Sequence, residues 1–365
     1  QIVAKVGAGS AVALAINNRS GMSEGRVADL KQKIASALRA QGLEAVEASR
    51  AVAQLEVTVS ENAQGYLLVA VINEGQSHDV TMVSMAGAAS ATTRGGSLLV
   101  LRKTPVLTQD APILDAALLA NGTELLVLDV ANVSLYSLAN GAGTLLAQQS
   151  VPFTIRSRDL RGRLVLRRDH LFDAYLPGVI CSSADASMQA MQCRASDDPW
   201  PLDAGEGSLN AFYASTRNYF TGTLSGTLGR GQDAGAFYSA AVLGDGDARH
   251  VLFRGVDGAV RMLSGGKMAA LAAPAWGSDI AALNSGCASG WQVLATAPGD
   301  YTSGDSVQAY EINGRDAAPV SQRIEFSGPV TALWTSADRA GVMAVSHNLT
   351  TGQYEAAILT MACSR

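Results

Sequence analysis

Apolar and polar positions in residues 1–85 follow two different periods. An apolar run at 11–16 precedes a polar stretch in which apolar residues recur at helical spacing, at Val27, Leu30, Ile34, Leu38 and Leu43. Ser23 is a suitable N-cap for this helix, and Gly42 is a suitable residue to end it. Three strand-like segments follow, at 53–60, 66–72 and 79–85. The pattern predicts the order β-α-β-β-β, and hence a small α/β domain over residues 1–85.

A change of composition ends this first region. Residues 86–96 are rich in Ala, Gly, Ser and Thr, which is the composition of a flexible linker. We therefore expect two domains, 1–85 and 97–365, with the linker at 86–96 between them. A length of 365 residues is ordinary for two domains.

One pattern recurs along residues 97–365. It consists of an apolar strand, a turn, a Val/Leu-rich strand, a second turn and a third strand, and its copies begin near residues 114, 161, 238, 280 and 329. The intervals are roughly 40–50 residues, apart from one of about 77 that contains the Gly- and aromatic-rich stretch 197–236. That stretch is either a degenerate sixth copy or a large irregular insertion.

Antiparallel repeats of this length are typical of β-propeller blades. The sequence therefore predicts a mainly β chain: a β-propeller of five blades, or six, preceded by the small α/β domain. Residues 97–104 precede the first copy and are placed to pair with the last, which would close the ring. A pair of β-sandwiches is the alternative, although sandwiches do not usually repeat a whole three-strand unit.

Composition supports short strands and narrows the function. Charged residues make up 16% of the chain, against about 25% in an average protein, and there are 37 glycines. No run of 18 apolar residues occurs, so no transmembrane helix is predicted. The net charge of −5 disfavours a general nucleic-acid binder.

The cysteines bear on the cellular compartment. Their even number, four, is compatible with two disulfides, which persist in oxidising compartments. Cys181 and Cys193 flank a Ser/Ala/Asp-rich stretch typical of a hairpin connection, across which a bridge is geometrically easy. Cys287 and Cys363 then pair by default; the alternative is four buried free thiols. The chain opens with Gln1, which is expected either after removal of a signal segment or from trimming at that point.

The repeats, with the sequence Leu-Gly-Asp-Gly-Asp at 243–247, resemble bacterial propellers of the FG-GAP/VCBS class. An α/β domain placed before a propeller is similar in layout to periplasmic TolB proteins. The resemblance implies a secreted or periplasmic interaction module. Arg249 stands where a calcium loop of this class needs a third ligand after Asp245 and Asp247, so we expect no bound calcium.

The densest charge lies between residues 156 and 168, which include six arginines. Residues two apart in a strand share a face, so Arg161, Arg163 and Arg167 are candidates to line one surface. Guanidinium groups bind carboxylates and phosphates, and such a surface would hold an anionic partner. The alternative is a solvated strand edge.

Two further clusters carry candidate chemistry. Asp197 and Asp198 lie beside Trp200 with more aromatic residues behind them, as suits sugar binding or glycoside cleavage. The alternative there is turn chemistry with a buried aromatic core. His170 between Asp169 and Asp173 is a candidate general base, but no Gly-X-Ser-X-Gly motif supplies a nucleophile.

We therefore expect a non-catalytic, extracytoplasmic binding or scaffolding protein that engages a protein or glycan partner through its propeller. The candidate ligand-binding residues are Arg161, Arg163, Arg167, Asp197, Asp198 and Trp200. The alternative is a carbohydrate-active propeller enzyme that uses the carboxylates near Trp200. We expect no cofactor and no metal, and a monomer. These expectations rest on architecture, which by itself does not specify function.

Overall fold

The computed structural model describes residues 10–20, 24–47, 50–62, 65–74, 77–86, 99–139, 143–152, 160–204, 207–299 and 302–363. The chain divides into two compact units, residues 1–96 and 97–365. It is mainly β, as the sequence predicts, and its described part contains one α-helix. Among the described residues, no helix has the length and apolarity that a membrane crossing requires.

The first unit is a five-stranded sheet with one helix. Its elements are β1 (Ala11–Arg19), α1 (Glu24–Ala40), β2 (Glu44–Val46), β3 (Ala53–Asn62), β4 (Gly65–Glu74) and β5 (Ser77–Ala86). The strand order is β2-β1-β3-β4-β5, in which β1 runs parallel to both of its neighbours and the later pairs are antiparallel. Leu30, Ile34 and Leu38 of the helical stripe pack on this sheet. The predicted cap Ser23 and residues 87–96 of the predicted linker lie outside the described residues.

The second unit contains the remaining strands. In chain order they are β6 (Val100–Gln109), β7 (Asp115–Leu118), β8 (Glu124–Leu128), β9 (Asn132–Ser137), β10 (Thr144–Ser150), β11 (Arg163–Leu166), β12 (Phe172–Leu176), β13 (Val179–Ser183), β14 (Met191–Ala195), β15 (Trp200–Pro201), β16 (Asn210–Ala214), β17 (Tyr219–Ser225), β18 (Phe237–Leu243), β19 (His250–Gly255), β20 (Val260–Ser264), β21 (Lys267–Leu271), β22 (Ile280–Asn284), β23 (Trp291–Thr296), β24 (Ser306–Asn313), β25 (Asp316–Pro319), β26 (Ile324–Glu325), β27 (Val330–Thr335), β28 (Gly341–His347) and β29 (Tyr354–Ala362).

Within the described part of this unit the strands form five antiparallel sheets that follow one another along the chain. The first sheet is β7–β10, the second is β11–β14, and the third has seven strands, β15–β21. The fourth has five strands, β22–β25 together with β26, which pairs with β24. The closing sheet combines β27, β28 and β29 with β6 from the start of the unit. Successive sheets of about four antiparallel strands are the arrangement typical of a β-propeller.

The sheets form a series that returns to its beginning. The first strand of the first sheet, β7, contacts β11 of the second sheet and also β28 of the closing sheet, while β22 contacts β18 and β27. The predicted closure by residues 97–104 corresponds to β6, which is longer and pairs with β29 from Val100↔Ala362 to Gln109↔Tyr354. Because β6 and β29 pair with each other, neither strand presents an open edge where the series of sheets closes.

The stretch 197–236 is structured as part of the third sheet. It supplies β15, β16 and β17, and β17 is joined to β18 through the single pair Phe220↔Phe237. Aromatic packing reinforces that weak junction, since the Phe220 and Phe237 rings stack with centroids 5.2 Å apart and Phe253 packs edge-on against Phe237 at 5.0 Å. Such contacts add to the free energy gained by burying the rings.

Both predicted disulfides are present, and the alternative of four free thiols is wrong. Cys181 and Cys193 are directly opposite each other on β13 and β14, with Cα atoms 4.0 Å apart. Cys287, in the turn after β22, is bonded to Cys363, which follows β29, with Cα atoms 5.4 Å apart. The second bridge thereby fastens the fourth sheet to the closing sheet.

Candidate functional site

The two arginines at the start of the second sheet are buried, although the sequence offered only a binding surface or a solvated edge for them. Arg163 is the first residue of β11 and Arg161 lies two residues before it, and their exposed fractions are 4% and 7%. Arg161 lies before the strand, so strand alternation does not relate the two side chains, but both guanidinium groups approach the Trp334 ring. Because both side chains are buried, neither arginine lies on a solvated edge.

Arg161 connects the second sheet to the third and fourth. Its Nη1 donates to the main-chain oxygen of Tyr238 at 2.6 Å, and its Nη2 donates to the carboxylate of Asp279. Asp279 immediately precedes β22, and its other carboxylate oxygen accepts from the Ser278 hydroxyl at 2.6 Å. The Arg161 side chain therefore contacts residues that lie 77 and 118 positions further along the chain.

Arg163 connects the second sheet to the first, third and closing sheets. Its Nη1 donates to Asp115 Oδ2 at 3.3 Å and its Nη2 to the main-chain oxygen of Asp203 at 3.1 Å. The guanidinium lies over the Trp334 ring, 4.3 Å from the ring centroid, and that of Arg161 lies 5.8 Å from the same ring. We call Asp115, Arg161, Arg163, Asp279 and Trp334 the central cluster.

Burial governs the ionisation of this cluster. It raises the pKa of Asp115 to about 6, although Arg163 and the amides of Leu164 and Ala116 act to lower it. Burial also lowers the pKa of Arg163, against the attraction of Asp115. Burial is the largest cause of both shifts, and taking an ion pair out of water is generally costly.

Three N–H groups of the cluster have no acceptor among the described residues. They are Nε of Arg161, Nε of Arg163 and Nε1 of Trp334, all of them buried. A buried donor without an acceptor costs roughly 1–3 kcal/mol. The cluster is therefore not the arrangement that packing alone would favour.

Ligand sites usually have volumes of about 300–1,000 Å³, and a cavity of about 710 Å³ lies beside this cluster. It is bounded by β7 and the following turn, by β11, and by the closing sheet with its turn between β27 and β28. Arg163 and Trp334 contribute to its wall, and Asp338 and Thr360 contribute polar groups. Most of the other lining residues are small, among them Ala117, Ala120, Ala204, Ala337 and Ala340.

Arg167, the third predicted arginine, belongs to a different network. Its Nε donates to Asp173 Oδ2 at 2.6 Å and its Nη2 to the Tyr175 hydroxyl at 3.1 Å. Burial acts to raise the pKa of Asp173, but hydrogen bonds from Ser182, His170 and Arg167 lower it overall. The three arginines thus do not share one site.

The same network decides what His170 can do. Its Nε2 lies 3.0 Å from Asp173 Oδ1 and its Nδ1 lies 2.9 Å from Asp169 Oδ1, so both ring nitrogens face carboxylates. The hydroxyl of Ser182 donates to Asp173 rather than to the imidazole. A nucleophile activated by a general base needs its own proton directed at that base, and this serine lacks the arrangement.

The acidic and aromatic residues near Trp200 are separated by burial. Trp200 is only 4% exposed, and its ring stacks on Tyr213 with centroids 4.4 Å apart. Asp197 and Asp198 are exposed, and Asp198 pairs with Arg194 at 2.6 Å. A sugar would need the open face of an indole ring beside the carboxylates. In this chain Tyr213 already covers the ring of Trp200, so that face is not open to a sugar.

Three members of the central cluster were missed at the sequence level: Asp115, Asp279 and Trp334. A signal for two of them exists, since Asp115 and Asp279 each stand at the head of a short apolar run that opens a repeat, as Arg163 does. A charge at the same place in several repeats indicates a common position on the inner strand. Trp334 carries no comparable signal.

No protein-family model and no curated protein matches this chain. Among solved structures, a chain from the crystal structure of the Mitotic Checkpoint Complex is similar over 82% of this chain and 85% of its own, with 11% identity and a TM-score of 0.42. TolB from Acinetobacter baumannii is similar over 96% and 93%, with 10% identity and a TM-score of 0.26. Hsv2 from Kluyvelomyces marxianus is similar over 65% of this chain and 73% of its own, with 13% identity and a TM-score of 0.35.

All of these scores are low, so the description of the fold rests on strand order and pairing. The resemblance to the FG-GAP/VCBS class remains a prediction from the sequence. At the loop that suggested it, Asp245 Oδ1 accepts a hydrogen bond from Arg339 at 3.2 Å, and residues Gly246–Ala248 form a 3-10 turn.

Proposed function

We propose that this chain is a non-catalytic, extracytoplasmic binding protein that holds a protein partner at the cavity beside the central cluster. The single observation that carries the proposal is that cavity, which is formed by three sheets and has Arg163 and Trp334 in its wall. An open cavity with a few polar groups among small apolar ones is the usual form of a binding site.

The proposal includes a propeller of six blades. Five sheets are present in the described part of the second unit, and the seven-stranded one is joined at its middle by one residue pair. Divided there, it supplies a three-stranded blade, β15–β17, and a four-stranded blade, β18–β21. The remaining four sheets then supply one blade each.

The disulfides support the extracytoplasmic location. Both bridges join strands or turns that the fold already holds together, and structural disulfides of this kind are rare in a reducing cytosol. Titration of the unfolded chain is expected to find almost no free thiol. Four free thiols in protein isolated from its native compartment would remove this support.

The chemistry of the cavity wall supports binding over catalysis. Arg163 is engaged by Asp115 and by the main chain of Asp203, and thus holds its place without a substrate. Asp338 and Thr360 supply polar groups at the cavity wall that a peptide backbone can meet, because a peptide carries hydrogen-bond donors and acceptors along its whole length.

The test uses the full chain as bait for a cell-envelope extract. Ala337→Trp places a large side chain at an exposed position of the cavity lip, whereas Ala195→Trp makes the same change at an exposed position on β14, outside the cavity lining. We expect Ala337→Trp to lose proteins that the unchanged chain and Ala195→Trp both retain. Retention of the same proteins by all three baits would contradict the proposed site.

A further inference from the structure

A second cavity, of about 570 Å³, lies between the third and fourth sheets and is separate from the one described above. Its walls come from β18–β21 on one side and from β23, the end of β24 and the following turn on the other. The half-buried Met262, Trp291 and Ile312 are among its apolar lining residues. This volume and lining are suitable for a small molecule with an apolar body.

The polar residues of this cavity carry one sign of charge. Lys267 and Arg315 are both exposed at its edge, and no Asp or Glu occurs in its lining within the part of the chain that the structure describes. Neither cation has an ion-pair or hydrogen-bond partner for its side chain among the described residues. In a chain of net charge −5, an acid-free cavity with two unpaired cations at its edge departs from the average surface.

Acids stand next to lining residues in sequence: Asp316, which follows Arg315, is exposed and lies outside the lining, and Glu311 is already engaged. Glu311 precedes Ile312, and its Oε1 accepts from the amide and hydroxyl of Ser289 at 3.0 and 2.8 Å and from Gln292 Nε2 at 3.2 Å. His250, also in the lining, lies with Nδ1 2.9 Å from the Ser264 hydroxyl. The cations at the edge are therefore the groups left to meet a charged ligand.

We propose that this cavity binds a small amphiphilic anion, with its apolar body against Trp291, Met262 and Ile312 and its anionic head between Lys267 and Arg315. Charge complementarity selects an anion, and the apolar wall selects a body that water does not solvate well. The proposal does not depend on the proposed partner site, because the two cavities share no lining residue.

Two matched probes test the proposal on the full chain. 8-Anilinonaphthalene-1-sulfonate carries a sulfonate, and N-phenyl-1-naphthylamine has the same ring system without the charge. We expect the sulfonate probe to bind at one site and more tightly than the neutral probe. The double variant Lys267→Gln, Arg315→Gln should weaken the sulfonate probe by about tenfold and leave the neutral probe unchanged, since about 1.4 kcal/mol of charge interaction corresponds to a factor of ten.

A control variant removes the same charge elsewhere. Arg102→Gln with Arg230→Gln changes two exposed arginines that do not line the cavity and should bind both probes as the unchanged chain does. Ala269→Trp, which fills the cavity from β21, should abolish binding of both probes. The proposal is overturned if the sulfonate probe binds equally to the Lys267/Arg315 variant, if both double variants weaken it alike, or if Ala269→Trp still binds it.

Discussion

Two Asp–Arg pairs in this chain have the same chemistry but different surroundings. Arg161 and Asp279 have side chains 7% and 5% exposed, whereas those of Arg194 and Asp198 are 63% and 51% exposed. Water screens the charges of Arg194 and Asp198, and it solvates whichever of the two remains when the other is removed. The first pair has no such compensation.

Replacing Asp279 by Ala should therefore destabilise the chain by about 3–5 kcal/mol, because Arg161 would remain as a buried charge without its counter-ion. Asp198→Ala should leave the free energy of unfolding close to that of the unchanged chain. Urea denaturation of both variants measures the difference. Equal losses would show that the central pair does not behave as a buried one.

A second effect at the residue scale concerns Asp305, at the start of the connection into β24. Burial raises its pKa to about 6, and the charge of Asp279 adds to the shift, while the amides of Ser306 and Val330 oppose it. Because the folded state holds this proton more tightly than the unfolded chain, the stabilisation is fully present below about pH 4. It is lost as the pH rises through about 6.

Asp305→Asn removes that titration. The free energy of unfolding of the variant, relative to the unchanged chain, should rise by about 1 kcal/mol between pH 4 and pH 7, a value reduced to allow for solvent around the group. Denaturation at several pH values measures it, and the shifts of other carboxylates cancel in the difference. A constant difference across this range would contradict the assignment.

At the scale of elements, periodicity predicted strands better than it predicted their partners. The strand-like segments at 53–60, 66–72 and 79–85 lie within β3, β4 and β5, and the copies of the repeat correspond to observed strands such as β8 and β19. In contrast, β2 and β15 have three and two residues and leave no periodic signal. Their pairing depends on residues distant in sequence, which local pattern does not encode.

The two disulfides differ in what they constrain. The bridge Cys181–Cys193 closes a loop of 12 residues within one hairpin, and Cys287–Cys363 closes one of 76 residues between two sheets. In the chain-entropy treatment, the shorter loop corresponds to roughly 3 kcal/mol and the longer to roughly 4.5 kcal/mol.

The double variant Cys287→Ser, Cys363→Ser should accordingly lose more stability than Cys181→Ser, Cys193→Ser. Thermal or urea unfolding of the two variants gives the comparison. The opposite order would indicate that local strand geometry outweighs loop length, since Cys181 is fully buried and directly opposite Cys193.

At the scale of the whole molecule, the sequence predicted a mainly β chain and the strand that closes the series of sheets. It did not reveal the central cluster, because Arg161 reaches Asp279 across 118 positions and Arg163 reaches Asp115 across 48. The arginines were singled out by local charge density alone. At Trp200 the opposite occurred: residues adjacent in sequence are apart in the fold, because the neighbouring acids are exposed while the Trp200 ring packs in the core.

The pairing of β6 with β29 also fixes the connectivity of the second unit. Val100 is directly opposite Ala362, so the backbone enters and leaves the series of sheets at neighbouring points. A short peptide joining these points, with a new break at the exposed Gly265–Gly266 hairpin, would preserve every strand pairing. Such a circular permutant would keep the same ring while changing which sheet is synthesised first, because the ring itself has no first sheet.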